Sequence, residues 1–148
     1  MTCTRLDVAY ALGVTSRYQE NHGEEHWKMV KTMLKYLQRT KDQFLIYGDS
    51  ELKLEGYTDA SFSSDRDDSK SLSSYVFILN GGAVSWKSSK QATIADSVTE
   101  AEYIAANVEI QKVDGKQNVV NPFTKALGTK EFDKHKWKLG IKYKSDWL

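Results

Sequence analysis

The dipeptide Asn80-Gly81 constrains this chain more than any other feature. It separates two β-prone runs, Ser74–Leu79 with Tyr75, Val76, Phe77 and Ile78, and Ala83–Lys87 with Val84 and Trp86. Asn and Gly both tolerate the positive φ of a tight hairpin turn, so the spacing predicts an antiparallel hairpin, with Gly82 as an extra residue that bulges the loop. A third strand is expected over Leu52–Asp59. Downstream, Ser97-Val98-Thr99-Glu100 has the form of a capping box, with Ser97 as N-cap and Glu100 reaching back. It opens a helix over 97–108 whose Val98, Ala101, Ala105 and Val108 share one stripe. The expectation is a three-stranded antiparallel sheet over 52–87 backed by that helix.

Two helices are expected before the sheet. Thr4–Tyr18 places Val8, Ala11, Leu12 and Thr15 on one side. Glu24–Arg39 has the clearest pattern in the chain, with Trp27, Val30, Leu34 and Leu37 as its apolar stripe and Asn21 as the candidate cap. Phe44–Tyr47, a Gly48-Asp49-Ser50 turn and Leu52–Asp59 read as a second hairpin-like unit. The fold class is therefore α+β, in three stretches: a helical segment at 1–42, a sheet core at 43–110, and a last strand with a Lys-rich tail at 111–148. Order is expected to fall after Ile110. Net charge is uneven, at −6 over 43–110 and +5 over 111–148. An acidic middle suits a cation, and the Lys-rich end reads as solvated surface.

The chemistry gathers at two carboxylates. Asp59 lies on the expected third strand, and Glu102 lies four residues from Val98, bordering the helix's apolar stripe. Carboxylates converging at a sheet edge are what Mg²⁺ needs, and a two-ion hydrolase needs several of them. Other groupings carry less. His22 and His26 stand i, i+4, but Gly23 occupies the place where a zinc-protease motif has Glu, so they read as a solvated pair at a helix start. Asp65, Asp67 and Asp68 lack the Gly and distal Glu of a Ca²⁺ loop and read as a solvated loop. Cys3 is the single cysteine, which excludes an intramolecular disulfide. No apolar run reaches the length of a membrane span. Arg5 and the run Val8–Val14 read as an amphipathic helix of the mature chain rather than as a signal-peptide core.

Long stretches resemble a known family. "GYTDASF", "SSYVFILNGGAVSWKSSKQAT" and "SVTEAEYIAA" are similar to the RNase H domain of copia-type retrotransposon polyproteins, and residues 4–47 resemble the connection that precedes it, with Leu6 in place of a usual proline. The resemblance implies an RNase H-like fold that cuts the RNA of an RNA–DNA hybrid with two Mg²⁺, with Asp59 and Glu102 as metal ligands. It also implies a large deletion after Val108 that removes the strand carrying a third ligand. "NVVNPFTKAL" is similar to the family's terminal "NVADPFTKAL", with Asn121 where the fourth ligand would be Asp. Asp59 and Glu102 are then vestigial, and the expectation is no hydrolysis, no cofactor and at most weak Mg²⁺.

Stand-alone chains of this type also resemble secreted RxLR effectors of plant-pathogenic oomycetes. That implies secretion, action in host plant cells through a host protein partner, and suppression of host cell death. The sequence contains no Arg-x-Leu-Arg after any of its arginines. An Mg-dependent RNase H, or a transposon remnant without function, are the alternative expectations.

Overall fold

The computed structural model describes residues 4–48, 52–63, 69–106 and 118–146. Three strands, β2 (Leu54–Ser61), β3 (Leu72–Leu79) and β4 (Gly82–Lys90), form an antiparallel sheet in the order β2-β3-β4. Asn80 and Gly81 both have positive φ, at 54° and 76°, and Leu79 faces Gly82 across the turn. Gly82 is thus a paired residue and not a bulge. The bulge lies further in: Phe77 faces Ser85 and Ile78 faces Ala83, which leaves Val84 as the extra residue. A bulge of this kind increases local twist.

Alternation along β3 sets the core. Leu72, Ser74, Val76 and Ile78 are buried, and Tyr57, Val76 and Trp86 stand side by side across the three strands. Val76 and Ile78 pack with Leu6, Ala9, Ala83, Val119, Val120, Phe123, Leu139 and Ile141. The core therefore joins both ends of the chain to the central sheet. Helix α3 (Val98–Ala106) packs on β2 and β3. Its start keeps one half of the capping box, since Ser97 Oγ accepts from the Glu100 N–H at 3.1 Å, while the Glu100 carboxylate reaches one residue past the cap and accepts from the Asp96 N–H at 2.7 Å.

The N-terminal helices depart from expectation in which faces they bury. The first begins as a 3₁₀ turn at Leu6–Val8 and continues as α1 (Ala9–Ser16). Its burial is concentrated at Leu6–Ala9, while Ala11, Leu12 and Thr15 are only half-buried. Helix α2 (Glu24–Arg39) has the expected span, but Gly23 is its N-cap in place of Asn21, and His26 Nδ1 accepts from the Gly23 N–H at 3.0 Å. His26 also stacks on Tyr18, and His22 stands edge-on to Trp27. Both rings serve the helix start.

The second hairpin-like unit does not form. β1 (Gln43–Leu45) pairs with β5 (Ile141–Tyr143), with Leu45 facing Ile141. β5 competes successfully because α4 (Thr129–Lys138) ends on a turn aimed at β1. Gly140, at φ 83°, lets the chain reverse, and its carbonyl accepts from the Ile46 N–H at 2.9 Å. A Cβ at position 140 would stand 2.8 Å from two backbone oxygens, so only glycine fits. The described part of the Lys-rich segment, 118–146, is accordingly folded. Lys136 is buried, with Nζ 3.2 Å from Asp133 and 3.3 Å from Gln43 Oε1, and it lies over the Tyr36 and Phe132 rings. Val108, the order expected to fall after Ile110, the strand expected near Gln111–Asp114 and the acidic run Asp65–Asp68 lie outside the described residues.

Candidate functional site: a carboxylate pair closed by the C-terminal segment

Asp59 sits in the second half of β2, opposite Ser74, which in turn faces Ser88 on β4. Facing residues of an antiparallel pair project to the same side, so these three form a polar row across the sheet. The segment 118–125 lies on that row. Ser74 Oγ and Ser88 Oγ both donate to the Phe123 carbonyl, at 2.8 and 2.5 Å. Thr124 Oγ1 donates to Asp59 Oδ2. Asn118 Nδ2 donates to the Thr58 carbonyl at 2.8 Å, and its Oδ1 accepts from the Val120 N–H at 3.2 Å. Buried Val119, Val120 and Phe123 anchor the segment while Asn118 and Thr124 turn to the strand.

Glu102 approaches from α3. Burial, followed by the nearby Asp59 charge, raises its carboxyl above the ordinary range, and the Ala60 backbone and the Lys125 ammonium oppose that rise. The two carboxylates named from the sequence are thus brought together. Asn121 opens the 3₁₀ turn Asn121–Phe123, with its side chain outside the described residues. Among the described residues no three His, Cys, Asp or Glu side chains converge as a metal site. Sequence reasoning missed Thr124, Lys125 and Asn118. A signal was present: Pro122 pre-sets a turn, and Thr124-Lys125 beyond it are polar residues where the chain must pass the sheet. The arrangement can hold a proton or a single cation between two carboxylates, one of which is already held by a hydroxyl.

The raised Glu102 carboxyl has a consequence for stability. A folded pKa above the unfolded one adds stability below the unfolded value, and that stability is lost as pH rises through the folded value. Glu102 ionisation is then a net cost at neutral pH. Glu102→Gln is expected to raise the melting temperature at neutral pH, with the gain vanishing towards about pH 4, where carboxyls protonate. A lower melting temperature at neutral pH, or a difference that ignores pH, would contradict this.

Comparison with known proteins gives consistent matches. Over 106 residues the chain is 52% identical to the retrovirus-related Pol polyprotein from transposon TNT 1-94 of Nicotiana tabacum, spanning 72% of this chain but 8% of that protein. Over 113 residues it is 42% identical to the secreted RxLR effector protein 161 of Plasmopara viticola, spanning 76% of this chain and 80% of that one. It is also 39% identical over 102 residues to the Pol polyprotein from transposon RE2 of Arabidopsis thaliana, across 68% of this chain and 7% of the polyprotein. No protein-family signature and no solved structure matches.

Proposed function

The chain belongs to the family of copia-type retrotransposon Pol proteins and their stand-alone derivatives, and from that premise we propose that it is a non-catalytic secreted effector that binds a host plant protein and suppresses host cell death. One observation carries this reading. The match to the oomycete effector runs over 80% of that protein's length, whereas the tobacco polyprotein shares 8% of its own. What is similar in the first case is most of that effector's own length, which supports an effector-like reading of this chain.

The carboxylate pair supports the non-catalytic half of the proposal. In-line displacement between two ions about 4 Å apart needs several converging carboxylates. Asp59 has one oxygen engaged by Thr124, and Lys125 brings positive charge towards Glu102. Among the described residues, this donor set suits at most one loosely held Mg²⁺ with water completing its shell, and does not suit a two-ion centre. The second reading, an Mg-dependent RNase H, draws on the same pair, since a cation would offset the burial and the Asp59 charge that together raise the Glu102 carboxyl.

The test is expression in host leaves challenged with a cell-death elicitor. Suppression is expected from the wild-type chain and, at equal protein level, from the Asp59→Asn/Glu102→Gln double variant. No suppression by the wild type would leave a transposon remnant. Suppression lost only in the double variant would return the account to metal chemistry.

A further inference from the structure

Helix α2 buries only one edge of its apolar pattern, with Val30 and Leu37 half-buried beside Met33. Trp27, Val30, Leu34 and Leu37 form its apolar stripe, but the helix enters the core through Met33, with Tyr36 and Thr40 on the same side. Trp27 is 52% exposed and Leu34 54% exposed. At 100° per residue, Lys31 and Lys35 run along one flank of that exposed stripe, with Arg39 one turn further on. Lys28 is held by Glu24 and Glu25, at 3.4 and 2.8 Å. Lys31, Lys35 and Arg39 have no ion-pair partner among the described residues.

We propose that this face of α2 docks in the plane of an anionic lipid bilayer. An indole ring with neighbouring leucine and flanking lysines is the chemistry of the membrane interface, where the ring sits at headgroup depth and the cations meet lipid phosphate and carboxylate. Two half-exposed apolar side chains are too few to hold a neutral bilayer, so the cations must supply the second signal. A second copy fits less well: antiparallel pairing centred on the stripe sets Lys31 against its own counterpart. No described helix is long and apolar enough to cross a membrane, so α2 lies on the surface.

The test is co-sedimentation of the full chain with phosphatidylcholine vesicles, with and without about one-third phosphatidylserine. Binding is expected only to the anionic vesicles and should weaken as ionic strength rises. Each basic residue removed should weaken it roughly five-fold, so Lys31→Ala/Lys35→Ala/Arg39→Ala loses about a hundred-fold. Trp27→Ala should also weaken it, while Lys130→Ala/Lys134→Ala on α4 leaves it unchanged. Absence of binding, equal binding to both vesicles, binding indifferent to the triple variant or to salt, or a dimer in sedimentation equilibrium that Trp27→Ala dissolves would each overturn the proposal.

Discussion

Phe123→Ala is expected to lower the unfolding free energy by about 3–5 kcal/mol, the range for emptying a fully buried aromatic site. A domain of this size has only about 5–15 kcal/mol to lose, so the variant should be largely unfolded at modest urea. Phe123 is 1% exposed and packs in the core with Val76, Val120, Leu139 and Ile141. Its carbonyl is fixed by two serines of the sheet, Ser74 and Ser88. Loss of the ring would leave a cavity at the point where the C-terminal segment meets the sheet, and would release Thr124 from Asp59. A loss under about 1 kcal/mol in urea denaturation would show that the segment only leans on the sheet.

The second large effect is expected at Asp7. Its side chain is fully buried and takes a two-pronged contact from Arg5, at 3.0 and 2.7 Å, together with the Tyr36 hydroxyl at 2.5 Å. Arg5 also donates to Thr40 Oγ1 at 2.7 Å, which ties the start of the chain to the end of α2. Burial, then the Asp7 charge, pushes the Tyr36 phenol well above its ordinary range, and the hydrogen bond to Asp7 holds the Arg5 guanidinium more firmly charged. Asp7→Ala would strand the guanidinium without its counter-ion. Breaking one side of a buried pair costs about 3–5 kcal/mol. Asp7→Asn, which keeps an acceptor for Tyr36, should cost less. An Asp7→Ala variant within about 0.5 kcal/mol of wild type by denaturant titration would remove this node from the account.

Local signals in the sequence carried the sheet. Asn80-Gly81 specified the hairpin because the turn needs positive φ at both places, and Ser97 with Glu100 specified the start of α3. Asp59 and Glu102 could be paired because one lies on a strand and the other on the helix that covers it. What failed was long-range. β1 found β5, nearly a hundred residues away in sequence, since α4 and Gly140 deliver a strand that no local pattern announces. Periodicity showed that α2 is amphipathic but not which part of its apolar arc meets the core: Met33 won over Trp27 and Leu34. Asp7 carries no local signal of its role, because its partner Tyr36 comes from α2 and the Arg5 that pairs with it reaches on to Thr40 at the end of that helix. Thr124 and Lys125 escaped because their roles depend on Phe123 being buried on the polar row of the sheet.

The central claim is that the carboxylate pair does no chemistry. It is tested most directly with a labelled RNA strand in an RNA–DNA hybrid, incubated with the purified chain in Mg²⁺ or Mn²⁺ beside a Glu102→Gln control and an Asn121→Asp variant. The account predicts no cleavage by the wild type above the control, and no rescue by Asn121→Asp, because restoring one carboxylate does not build a two-ion site. Metal-dependent cleavage by the wild-type chain, abolished by Glu102→Gln, would contradict it.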